Sequence, residues 1–297
     1  MNGMTRGRRS ENRRFVTRHW LCARIRASIS NVMSIYLELT NEFNATAMRA
    51  ILSSGQAVVL HRLAVMSKDG DWILRESPEA LDEVRDVLDR RCANYRFGAP
   101  LDVRWMRGGW SSHFEFRLDA LRVRTDFVTR PPRLTADDLA GLWREQAGCA
   151  PPVVDPRRLA ELKKTNREKD YAVIGELTRL LDDPRQQLLL SRSAYDLMAL
   201  ARAYPELARQ LVAARPLLDE ASHSVEALEA ALDAERRKLM HANERRLLRY
   251  MTAAEPWAAR WPAVAAEIAG LPLRQAHAVV AARAEGLLPF ELPEGAP

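Results

Sequence analysis

The residues best suited to chemistry in this 297-residue chain are Asp69 and Asp71, within Lys68-Asp69-Gly70-Asp71-Trp72-Ile73. On an extended backbone, residues two apart point to one face. Two carboxylates about 5 Å apart repel by roughly 3 kcal/mol at an effective dielectric near 20. A divalent cation is the usual offset, and Mg2+ (or Mn2+) is commonly held by one or two carboxylates plus substrate phosphates. An Asp-Gly pair is equally an ordinary hairpin turn. Two further features bear on the choice. Asp126 stands alone in Val123-Arg124-Thr125-Asp126-Phe127-Val128, and aspartate is a poor strand former. A third metal ligand, or a base beside an attacking hydroxyl, explains it; the plain alternative is an ion pair with Arg124 or Lys68. Upstream, Ser53-Ser54-Gly55-Gln56 puts small residues at a helix start, where free N–H groups can meet phosphate oxygens.

A small-Gly pair, a short helix, Asp-x-Asp on a strand and a later strand aspartate together resemble the minimal nucleotidyltransferase fold, over residues 48–133. A basic run, Leu162-Lys163-Lys164-Thr165-Asn166-Arg167-Glu168-Lys169-Asp170, is similar to a helical motif of abortive-infection toxin nucleotidyltransferases and extends the likeness to residue 177. The resemblance implies transfer of a nucleoside monophosphate from an NTP such as ATP to an acceptor hydroxyl, with magnesium. Ser54 and Gly55 would hold the triphosphate, with Lys68 in the same nucleotide-binding set. Asp69 and Asp71 would bind metal, and Asp126 would complete the site. Lys163, Arg167 and Lys169 would neutralise phosphate charge, with Asp170 orienting a basic neighbour. An RNA or protein acceptor and an antitoxin partner are further expectations of the same likeness. Ser54 stands where the pattern prefers glycine, a replacement that suits an ordinary backbone angle. Gly70 stands where an apolar residue is usual.

The elements that must position these residues follow from patterning. Thr40–Ile51 and Gln56–Ala64 read as helices and Asp71–Leu74 as a strand. Ser77-Pro78-Glu79 starts a helix over 78–91, with Leu81, Val84, Val87 and Leu88 on one face. Leu101–Met106, His113–Arg117 and Leu121–Thr129 read as strands, and Arg130-Pro131-Pro132-Arg133 ends the sheet. Beyond Thr135 the chain is rich in Ala, Leu, Arg and Glu, with prolines including Pro256 and Pro262 at helix-breaking positions. Ser224–Met251 is the longest helix. The expected fold class is α+β: a small mixed-sheet nucleotidyltransferase-like domain over 33–134, followed by an all-α helical bundle domain over 135–297.

Bulk properties narrow the partners. No apolar stretch approaches the roughly 18–20 residues that cross a bilayer, so no membrane partner is expected. Three scattered cysteines, Cys22, Cys92 and Cys149, make no zinc or disulfide pattern, which fits a reducing cytoplasm. The net charge is +6. Residues 1–32, a basic leader expected to be disordered, carry eight arginines and one acid, Glu11. That segment is +7, so the remainder is −1 and the body is not basic. In the body, the run Arg236–Arg249 is the best candidate for contacting RNA, with a solvated face as the bland reading. Trp110 and His113, in Gly108-Gly109-Trp110-Ser111-Ser112-His113, could touch a base or acceptor or simply close a hairpin. His61 reads as a buried, hydrogen-bonded histidine, and Trp257 and Trp261 as core.

Overall fold

The structure, a computed structural model, describes residues 35–292; the basic leader lies outside them. Helix α1 covers 35–43 and is followed by β1 (Ala50–Ser53), α2 (Ser54–Leu60), β2 (Gly70–Leu74), α3 (Pro78–Arg90) and β3 (Asn94–Tyr95). The one-turn helix α4 (Val103–Met106), β4 (Ser112–Leu118) and β5 (Leu121–Val128) complete the sheet region. The strand order is β1-β2-β5-β4-β3. Only β2 and β5 are parallel; the other neighbours are antiparallel. The α+β fold class stands.

Two expected elements differ. The predicted helix over Thr40–Ile51 stops at residue 43 because Asn44 turns the chain: its side-chain nitrogen donates to the carbonyls of Thr40 and Ala50 (2.7 and 2.8 Å). Its Oδ1 accepts from the amides of Arg49 and Ala50 (2.7 and 3.0 Å). That frees Ala50–Ser53 to pair as an edge strand beside β2. The predicted strand over Leu101–Met106 is instead α4, because the Asp102 carboxylate accepts from the amide of Arg104 and caps a helical turn. Helix α3 starts as expected, with the Ser77 side chain accepting from the amide of Ala80, while α2 ends at Leu60, short of Ala64.

The remaining described chain is helical: α5 (Ala136–Glu145), α6 (Pro156–Leu162), α7 (Glu168–Thr178), α8 (Pro184–Leu190), α9 (Ala194–Ala203), α10 (Pro205–Leu211), a 3-10 helix (Pro216–Ser222), α11 (Val225–Glu267) and α12 (Leu273–Ala284). Helix α11 runs for 43 residues through both Pro256 and Pro262, against the expectation that these prolines break it. Each removes one hydrogen bond to the carbonyl four residues earlier. Those carbonyls belong to Thr252 and Ala258, which lie with both prolines on the exposed side, where water can replace the lost donor. The opposite side carries Trp257 and Val264, both buried.

The sheet's two faces bury different partners. Leu52, Trp72, Phe114 and Phe127 pack with α1, α3, Trp257, Val264 and the α12 residues Ala276 and Val280. On the other face Ile51 and Ile73 pack under Val58 of α2, Leu159 of α6, and Tyr171 and Ile174 of α7. One residue pair further along that second face, the apolar cover ends and polar residues begin.

Candidate active site

The polar residues form a row across four strands. Ser53 pairs with Asp71, Asp71 with Asp126, and Asp126 with His113. Register pairs share a face, so these side chains stand side by side. Asp69, just before β2, lies one step along that face beside Arg124, whose Nη1 is 3.8 Å from its Oδ1. The expected gathering of Asp69, Asp71 and Asp126 at one end of the sheet is therefore present.

Asp71 carries the largest electrostatic load. Its carboxyl is pushed up from an ordinary 3.8 to about 7 by burial, then by the neighbouring Asp126 and Asp69 charges. The Lys163 ammonium and a hydrogen bond from the Ser54 side chain pull it back down. The Tyr36 phenol, which donates to the Lys68 carbonyl at 2.8 Å, is raised to about 12 by burial, with all three aspartates adding to the shift. Asp69 Oδ1 is shielded from solvent and accepts no hydrogen bond. A buried carboxylate oxygen without a donor is costly, and a cation would satisfy it.

Asp126 differs. Its Oδ1 already accepts from His113 Nδ1 at 2.7 Å and Arg96 Nη1 at 3.2 Å. Its ion-pair partner is thus neither Arg124 nor Lys68. Asp126 is thus held by His113 and Arg96 while it stands beside Asp71 in the sheet register. The donor set fits a two-carboxylate ion at Asp69 and Asp71, the arrangement in which substrate phosphates supply further oxygens.

The basic motif arrives from the helical half. Lys163 caps the end of α6 and is buried. Burial lowers its pKa, while Asp170 and Asp71 oppose that shift. Its Nζ lies 3.7 Å from Asp170 Oδ1. Asp170, also buried, accepts from Thr165 Oγ1 (2.6 Å) and Arg167 Nε (2.9 Å). Asp170 thus holds two basic neighbours, and the Lys163 charge opposes the rise in the Asp71 pKa. Lys68 and Lys169 are exposed, and neither is held against the carboxylates.

The strand–helix junction is tight. Ser54 has φ +49°, a left-handed angle rather than the ordinary one that serine tolerates, and its hydroxyl reaches Asp71. A Cβ on Gly55 would lie 2.2 Å from Ser67 Oγ, and one on Gly70 would meet the rings of Trp72 and Tyr36 at 2.4 and 2.5 Å. Gln56 Nε2 donates to the carbonyls of Ser67 and Asp69 (3.2 and 3.3 Å), tying α2 to the aspartate loop.

Sequence reasoning missed Arg96, and it singled out His113 without its partner. Ser111 Oγ lies 2.8 Å from His113 Nε2. A carboxylate only accepts, so His113 Nδ1 carries the proton toward Asp126 and Nε2 accepts from Ser111. The cross-strand pairing that joins these residues has no local signature. Trp110 is structural: it is buried, and its Nε1 donates to the Pro289 carbonyl at 2.8 Å. His61 Nε2 lies 2.9 Å from the Val154 carbonyl, as expected, but the residue is half-buried rather than buried. Arg236 pairs with Glu168 and Asp233.

No protein-family model matches the chain, and no curated protein does. Among solved structures, a crystal structure described as that of a "putative nucleotidyltransferase from H. pylori" is similar at 10% identity, covering 72% of this chain and 95% of that one, with a TM-score of 0.36. That likeness is too slight to carry an argument, and the function of the chain is inferred from its own residues.

Proposed function

We propose that this chain is a metal-dependent nucleotidyltransferase that moves a nucleoside monophosphate from an NTP to an acceptor hydroxyl. The observation that supports it most is Lys163. It is buried at the end of α6, which packs on α2, and its charge lowers the Asp71 pKa, so the two separately recognised motifs lie on neighbouring elements. Asp69 and Asp71 would hold Mg2+ or Mn2+, and the ion would neutralise charge on the phosphoryl oxygens and activate the hydroxyl. Lys163, oriented by Asp170, supplies positive charge to the triphosphate beside the small residues Ser54 and Gly55, with Arg167 nearby and Lys68 and Lys169 able to swing in from solvent. Asp126 fixes the tautomer of His113, whose Nε2 can then draw the acceptor proton through the Ser111 hydroxyl that donates to it. By the same resemblance, transfer to an RNA or protein hydroxyl would act as a toxin restrained by an antitoxin.

The test is incubation with each α-labelled NTP, Mg2+ and mixed acceptors. Asp71→Ala is expected to abolish label transfer, and Lys163→Met to lower it about 10- to 100-fold, with the fold retained by circular dichroism. Full activity in Asp71→Ala sinks the assignment. The commitment of Asp126 to His113 and Arg96 favours a second reading: a nucleotide-binding protein that has lost turnover. Calorimetry showing NTP and Mg2+ binding without any labelled product would select it.

A further inference from the structure

Between β3–β4 and α11 lies a cavity of about 490 Å3, within the range of small-molecule sites. Its wall is largely apolar and aromatic, including Phe97, Trp110, Tyr250, Met251, Trp257 and Leu288. Ser111 and His113 also line it. These two are the cavity end of the hydrogen-bonded chain Ser111–His113–Asp126, and Asp126 stands beside Asp71. The cavity is therefore joined to the carboxylates by a continuous polar path through one imidazole.

We propose that this cavity holds the acceptor, and that the acceptor is a small molecule with an aromatic or apolar body bearing a hydroxyl; the inference rests on the nucleotidyltransferase reading. The body matches the lining, and the hydroxyl meets the Ser111–His113 pair. In the step, the acceptor oxygen bonds to the α-phosphorus, the bond from that phosphorus to the bridging oxygen breaks, pyrophosphate leaves with its electron pair, and the acceptor proton passes to Ser111 Oγ as the Ser111 hydroxyl proton passes to His113 Nε2. A polynucleotide fits less well. Binding of its backbone relies on several Lys or Arg contacts to phosphate, whereas the lining offers one cation, Arg246, which stacks on Tyr250 at 4.8 Å, and one acid, Glu255. Of the lining, Phe97 is 46% and Met251 68% exposed, apolar surface that a bound ligand would cover.

The test uses the full chain with 2-naphthol and 2-naphthalenemethanol as hydroxyl probes and 2-methoxynaphthalene as the blocked control. Calorimetry reads binding of each probe, and α-labelled NTP with Mg2+ reads transfer to it. The expected result is binding of all three, label on the two hydroxyl probes only, and at least a tenfold loss of probe affinity in Ala254→Trp, which fills the cavity. Ala258→Trp, at an exposed position on the same wall, serves if Ala254→Trp does not fold. Probe binding undiminished in both variants overturns the proposal. So does label on added RNA or protein but on neither probe, or a dimer in solution that occludes the cavity; each of these leaves the nucleotidyltransferase reading standing. Failure to bind any NTP with Mg2+ overturns that reading instead, while probe binding still reports on the cavity.

Discussion

Asp71 is the residue on which the proposed chemistry turns, and its raised pKa has a thermodynamic signature. A carboxyl whose folded value, about 7, exceeds its ordinary 3.8 favours folding in its protonated form. The resulting penalty is absent below about pH 4, grows as pH rises toward 7 by up to about 1.4 kcal/mol per pH unit, and is constant above that. Asp71→Asn removes it. The variant should therefore melt higher than the parent at pH 8, with the gain shrinking to nothing near pH 4, by scanning calorimetry; equal melting temperatures at pH 8 would refute the electrostatic account. Mg2+ should act in the same direction on the parent alone, raising its melting temperature more at pH 8 than at pH 6, because the proton must leave before the ion binds. The aspartate trio was legible in the sequence because spacing and an isolated acid in a strand are local signals. Arg96 and the Ser111–His113 link were not, since they depend on which strand lies beside β5.

At the scale of elements, Gly70 is a place where the fold sets the site. Without a side chain it lets the rings of Tyr36 and Trp72 close over the start of β2, and so fixes the backbone between the two aspartates. Gly70→Ala would drive a methyl into two aromatic rings that have no room to retreat. Overpacking of this kind costs about 1–3 kcal/mol, measurable as a lower urea midpoint, whereas an unchanged midpoint would mean the rings shift freely. Where sequence reading failed on elements, a single polar side chain was responsible. Asn44 ends a helix that the pattern continues, and Asp102 starts one where the pattern alternates. Pairing partners decided the rest: Ala50–Ser53 is a strand because β2 lies beside it, not because of its composition.

The whole molecule is tied together by α11. Its first turns pack with α8–α10 through Leu228 and Leu232, its middle touches the α6–α7 core through Leu239 and Met240, and its end enters the sheet core through Trp257 and Val264. Trp257 is fully buried, and its Nε1 donates to the Gly98 carbonyl at 2.9 Å. Trp257→Ala should cost about 3–5 kcal/mol, and loosen sheet and helices in one transition. Separate losses of sheet and helical signals in chemical denaturation would show that α11 does not couple them. The helical half was legible as helices from composition, but not its insertion into the sheet core, because the two prolines that suggest a break fall on the wet side of the rod.

The parallel pairing of β2 with β5 has a consequence for the proposed metal site. Asp71 and Asp126 are adjacent only because two distant stretches of chain have found each other across the sheet, and Lys163 joins them only once the helical half has docked. In a nascent or unfolded chain, Asp69 and Asp71 are an ordinary flexible acidic pair with weak affinity for any ion. A divalent cation held by Asp69 and Asp71 in the folded chain alone would thus add its binding energy to those long-range contacts.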